Sequence, residues 1–179
     1  MNLQIQQDGF LDKNITPAAE IPNDQRPINQ NWSWDRILRS PYIKQADTLQ
    51  GMFFFEDQTP LSVLKKNFDF YEPLTVHESS LSPSIHSILA SRLDYNEKAY
   101  QLYLRTARLD LDDYNNEVHE GLHITAMGGT WMTIVYGFGG MKINGEMLCF
   151  EPKLPDQWEQ LSFHIRWRKS ILQLSLIHI

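Results

Sequence analysis

The stretch 122–150, LHITAMGGTWMTIVYGFGGMKINGEMLCF, changes its hydrophobic period part-way along. From Leu122 to Gly137 apolar residues fall on nearly every side of a helical wheel, the pattern of a buried helix. After Gly137-Phe138-Gly139-Gly140 the period drops from helical to alternating. Asn144-Gly145 within that second part is a strong hairpin signal. The chain is therefore expected to be mostly α, with a small C-terminal antiparallel β unit. The expected units are 1–137 and 138–179.

Working upstream, 95–109 is the cleanest amphipathic helix, with Ala99, Leu102, Tyr103, Ala107 and Leu109 near one face. Ser82-Pro83 is a good helix start, continued to Arg92. Pro60 opens another helix that reaches about Phe70. A helical pattern over 34–55 is interrupted by Pro41 and places Lys44-Gln45 inside a helix. Residues 1–33 are polar, carry Pro17, Pro22 and Pro27, and read as an extended covering segment with little surface of its own to lie on. Downstream, Leu161, Phe163, Ile165 and Trp167 alternate with polar residues as a half-buried strand does, and 170–176 is its expected partner. The final SLIHI stops without a polar tail and reads as a truncated or artefactual end.

The 179 residues suffice for one domain, or one and a small second. Five Trp, seven Tyr and nine Phe can fill a core or stack on sugar faces. A net charge of −6 gives no electrostatic footing for nucleic acid or an anionic membrane. Any phosphate site must then be local, built from a few aimed donors. The single cysteine, Cys149, permits no intrachain disulfide and reads as a small buried apolar residue in a strand. The sequence shows no signal pattern and no long apolar run, so a soluble cytoplasmic protein is expected.

Three polar blocks interrupt the helices: RSPYIKQADTLQG at 39–51, YEPLTVHESSLSPS at 71–84 and DLDDYNNEVHEGLHITAMGGTW at 110–131. Ser79 and Ser80 put two hydroxyls ahead of a helix N-terminus, a natural place for an anion, although simple capping by Ser82 explains the same residues. His123 stands at a loop-to-helix junction before Gly128-Gly129, either as a phosphate donor or as a structural histidine. Two adjacent glycines in a helix cost about 1 kcal/mol each and suggest close approach of another group to the backbone. Glu117, His119, Glu120 and His123 share the loop, but HEGLH lacks an evident third ligand and no metal is expected.

The three blocks and their order resemble the disaccharide phosphorylases of glycoside hydrolase family 65, and within it those acting on maltose. The likeness runs from QQDGFLDK at 6–13 to about Arg168. It implies that the helices are the last ones of an (α/α)6 barrel and that the strands are the family's small C-terminal β domain. It implies Ser79, Ser80, His123, Gly128 and Gly129 as phosphate-binding residues, and Lys44 and Gln45 as sugar contacts. Inorganic phosphate is then a co-substrate and no other cofactor or metal is needed. The partners expected are a disaccharide and phosphate, with the parent protein a homodimer. The family's general acid lies upstream of the matching blocks, so no catalytic residue is assigned here and the isolated fragment is expected to be inactive.

Such an enzyme converts maltose and phosphate to β-glucose 1-phosphate and glucose with inversion. A carboxylic acid protonates the leaving oxygen while phosphate attacks the opposite face of the sugar. An inverting hydrolase on the same scaffold (trehalase- or kojibiose-type) is the alternative, as is a non-catalytic fragment. Ser79, Ser80 and His123 are expected to converge on one pocket, with Lys44 and Gln45 facing it.

Overall fold

The computed structural model describes residues 3–178. Its helices are α1 (Ile28–Asn31), α2 (Trp34–Arg39), α3 (Asp47–Phe54), α4 (Leu61–Tyr71), α5 (Ser82–Arg92), α6 (Asn96–Ala107) and α7 (Ile124–Met132). A π-helical segment, Thr133–Phe138, prolongs α7. The strands β1 (Met141–Asn144), β2 (Met147–Phe150), β3 (Gln160–Trp167) and β4 (Ser170–Ile177) follow. The expectation of a mostly helical chain with a small antiparallel β unit is borne out.

Helix α5 is the centre of the packing. Every residue from Ser82 to Ser91 is buried, so this helix has no solvent face. Its small residues let neighbours come close, and its hydroxyls find partners inside. Ser87 Oγ donates to the Ala99 carbonyl at 2.6 Å and Ser91 Oγ to the Gly137 carbonyl at 3.2 Å. The turn to α6 is tight: Asp94 takes a left-handed φ of 60° and Tyr95 N–H donates back to Ala90 O at 2.9 Å. Helix α6 thus returns antiparallel. Helix α7 runs parallel to α5, because Gly129 lies against Ser84 and Gly137 against Ile88. Both α5 and α7 therefore begin at the same end of the molecule, where α6 ends.

Helix α4 closes another side with Leu64, Phe68 and Tyr71, which join Leu89 and Phe138 in the main core. The segment before α1 is better anchored than its composition implies. Phe10 enters the main core, with its ring edge-on to Tyr71 at 5.8 Å between centroids. Ala18, Ile21 and Ile28 form a second small core with Val76. The segment folds into three 3-10 turns and α1, and finds the surface that its polar sequence concealed.

Other expectations need correction. Lys44 and Gln45 lie outside any helix, in the break between α2 and α3. Ser40 Oγ accepts the Tyr42 N–H there, and Ile43 makes a parallel bridge to Thr75, with Ile43 N–H donating to Leu74 O at 3.0 Å and Val76 N–H to Ile43 O at 2.9 Å. Helix α7 is not buried all round: Ile124 and Trp131 are 69% and 50% exposed. The strands make two separate two-stranded sheets, β1–β2 and β3–β4. In the first hairpin Asn144 pairs with Met147, so Gly145, at φ 59°, and Glu146 are the central turn residues. Cys149 is exposed, because it shares the outward parity of Met147 while Leu148 and Phe150 turn inward.

Candidate anion site

The bridge between Ile43 and Thr75 brings the first two polar blocks together. Lys44 and Gln45 leave one side of it, and His77-Glu78-Ser79-Ser80 leave the other. His77 takes a left-handed φ of 54°, which is uncommon for a residue with a side chain. Three contacts hold it there. Its Nδ1 meets Ser82 Oγ at 3.0 Å, its carbonyl accepts Arg105 Nε at 3.0 Å, and its ring stands edge-on to His86 at 4.7 Å. Ser79 Oγ then accepts the Leu81 N–H at 3.2 Å, a local turn that leaves the hydroxyl proton free to donate. Ser80 is half-buried beside it.

Glu78 is the buried acid of this turn. Its carboxylate accepts the Ile28 N–H at 2.7 Å and lies 3.4 Å from Arg26 Nη1. Burial pushes this carboxyl up; Ile28 N–H, Arg26, Arg105 and Lys44 pull it back down. Arg26 contacts this carboxylate, and Arg105 and Lys44 bear on it from farther off, next to two serine hydroxyls.

The third block arrives at the same end of the molecule. His123 precedes α7, and Asp110 holds it twice: the backbone N–H donates to Oδ2 at 2.8 Å and ring Nδ1 meets Oδ1 at 2.6 Å. These two bonds hold the Asp110 carboxyl below its ordinary range. Nε2 lies 3.6 Å from Glu117 Oε2, too long for a hydrogen bond. That nitrogen suits hydrogen phosphate in either protonation state, donating as imidazolium or accepting a phosphate O–H when neutral. Gly129 packs on Ser84 of α5, whereas a Cβ on Gly128 would meet open space. Among the described residues no group of three or more His, Cys, Asp and Glu is placed to hold a metal ion, and no helix is long and apolar enough to cross a membrane.

The bridge sets the segment carrying Lys44 and Gln45 beside the one that leads to Ser79 and Ser80, and His123 stands before α7, which runs parallel to α5. Arg26, His77, Glu78 and Arg105 complete the arrangement and were not singled out from sequence as ligand-site residues. The wording HES, a histidine and a carboxylate just before the serines, was the available signal for two of them. Arg26 and Arg105 are brought in by folding alone.

The family model for the glycosyl hydrolase family 65 central catalytic domain matches residues 1–132, and that for the family's C-terminal domain matches 141–178. The chain belongs to glycosyl hydrolase family 65. This family 65 chain is 51% identical over 176 residues to a maltose phosphorylase of Bacillus subtilis, covering 98% of itself and 23% of that relative. It is 46% identical to an alpha,alpha-trehalose phosphorylase of Thermoanaerobacter brockii, covering 96% of itself and 22% of the relative. A solved chain from the human microbiome, described as a kojibiose phosphorylase, superimposes with a TM-score of 0.93 at 41% identity, covering 98% of this chain and 24% of that one. The chain spans under a quarter of the length of these relatives.

Proposed function

We propose that the polypeptide carrying this chain is an inverting disaccharide phosphorylase that converts maltose and phosphate to β-glucose 1-phosphate and glucose, and that these residues supply the phosphate half of its site. The observation that carries this reading is the turn Glu78-Ser79-Ser80 ahead of α5, its one carboxylate paired with Arg26 and Ile28 N–H, and joined through the Ile43–Thr75 bridge to the Lys44-Gln45 segment. Ser79, Ser80 and His123, with the first-turn N–H groups of α5 and α7, donate to phosphate oxygens; Gly128 and Gly129, expected as phosphate ligands, lie beyond the first turn of α7 with their N–H groups inside the helix, and Gly129 packs on Ser84 instead. Lys44 and Gln45 hold the sugar. Phosphate arrives already anionic, so the site orients an oxygen at the anomeric carbon and needs no base. The C–O bond to the leaving glucose breaks as a carboxylic acid protonates it.

We assign that acid to a residue outside this chain, and the residues 1–137 to the end of the helical barrel with 138–179 as the β domain. A cytoplasmic homodimer fits the same reading. Maltose is preferred over trehalose on the difference between 51% and 46% identity. The test is a panel of maltose, trehalose and kojibiose incubated with the full-length protein, with and without phosphate. Phosphate-dependent release of β-glucose 1-phosphate from maltose is expected. Release from trehalose or kojibiose instead would replace the substrate but keep the class, and sugar release without phosphate would replace the class by hydrolysis. Replacing Ser80 or His123 with Ala removes one charge-assisted hydrogen bond, worth about 1.5–3 kcal/mol. Phosphate KM should therefore rise roughly 10- to 100-fold.

A further inference from the structure

Glu78 presents a problem for a phosphate site. Its carboxylate belongs to the residue next to Ser79, its side chain is 6% exposed, and an ionised acid there repels the ligand that the serines attract. The covering segment answers it. Ile28 N–H donates to Oε2 at 2.7 Å, and Arg26 Nη1 lies 3.4 Å from Oε1 while its Nη2 donates to the Ala18 carbonyl. The segment is itself seated by Ala18, Ile21 and Ile28 on Val76, two residues before Glu78. Arg26 is thus fixed from both sides, by a backbone carbonyl on its own segment and by the acid on the turn.

We infer that Arg26 is a positioning residue of the phosphate site: it neutralises and orients Glu78 so that the Ser79-Ser80 turn accepts an anion. This rests on the phosphorylase reading above. The arrangement also makes the N-terminal covering segment part of the site, since the charge that balances the turn comes from a different stretch of chain. Lys44 and Arg105 act on the same carboxylate from farther off, Arg105 while its Nε and Nη2 donate to the His77 carbonyl. Arg26, whose side chain is 29% exposed and committed at both ends, meets the turn through its ion pair with Glu78.

The experiment compares Arg26→Gln, Glu78→Gln and the double variant in the full-length protein, by initial rates at varied phosphate and at varied disaccharide. Arg26→Gln should raise phosphate KM by at least about tenfold, since leaving a buried charge unpaired costs no less than that, with the disaccharide KM little moved. Glu78→Gln should lower phosphate KM, because the amide still accepts from Ile28 N–H and the repelling charge is gone. The double variant should return phosphate KM close to the wild-type value, which a merely structural loss would not do. An unchanged phosphate KM in Arg26→Gln, or a double variant no better than the single one, would overturn the inference and leave the phosphorylase reading intact. Should Arg26→Gln fail to fold, Glu78→Gln decides, and a raised phosphate KM in that variant counts against the inference. Wild-type protein that splits its disaccharide without phosphate would sink both.

Discussion

His86 is buried completely, and neither of its ring nitrogens meets a hydrogen-bond partner among the described residues. Desolvation pushes it down to about 3, from an ordinary 6.5. His77, beside it, is also driven well below 6.5, first by burial, then by His86 and the nearby Arg105, Lys98 and Arg26. A histidine depressed in the folded state is neutral there but takes up a proton in the unfolded chain once pH falls below 6.5. Stability from this pair is therefore complete above pH 6.5 and is lost progressively as pH falls below it, for His86 down to about 3. Each imidazole contributes up to about 1.4 kcal/mol per pH unit within that window. Replacing His86 with Leu removes the orphaned nitrogens at similar volume. Chemical denaturation at pH 7 and pH 5 should show a smaller loss on acidification for His86→Leu than for wild type. An unaltered loss would mean that His86 does not carry the acid sensitivity. None of this was legible in SPSIHSILASR, because a histidine amid serines looks solvated until the helix proves to have no outer face. Ser79 and Ser80 were legible as donors ahead of a helix, with Glu78 next to them; the arginines that set their charge environment were not, since Arg26 and Arg105 come from distant sequence.

At the scale of elements, Gly128 and Gly129 look alike in sequence but the structure separates them. A Cβ on Gly129 would stand 2.7 Å from Ser84 Oγ and 2.8 Å from Ser84 Cβ, so α5 and α7 would have to move apart. Gly129→Ala should destabilise by roughly 1–3 kcal/mol, as overpacking does. Gly128→Ala, with open space on that side, should stabilise by about 0.4–1 kcal/mol through helix propensity. Thermal melts of both variants check the contrast, and equal shifts would refute the close parallel packing of α7 on α5. Helix spans were readable at α4, α5 and α6, where period and start signals agreed. The strands β3 and β4 were readable from alternation. Reading failed at Lys44-Gln45, where a non-local bridge to Thr75 outweighs helical propensity. It failed again at Cys149, whose facing depends on the hairpin's register and not on its own hydrophobicity.

Over the whole molecule, apolar side chains remain at the surface on the side that α7 presents. Leu122, Ile124, Met127 and Trp131 are exposed there, and Trp34, Leu38, Phe54, Phe55 and Leu111 are exposed elsewhere on the helical part. The chain covers 23% of the length of the B. subtilis maltose phosphorylase it matches. Its carboxylates near the turn are engaged: Glu72 with Lys98 at 2.7 Å, Glu78 with Ile28 N–H and Asp110 with His123. A general acid must hold a proton near neutral pH and reach the leaving oxygen. Burial raises Glu78, but that group is turned toward the covering segment, and the bonds from His123 hold Asp110 low. The 179 residues, purified alone, should therefore release no glucose 1-phosphate from maltose and phosphate. Loss of acid catalysis alone removes about 10²–10⁴-fold. Adding the upstream part of the polypeptide should restore turnover. Release by the isolated chain at about 1 per second or faster, an ordinary enzymatic rate, would show that one of these carboxylates is the acid. Glu78 would then be the first to replace, and its pairing with Arg26 would need to open during the reaction.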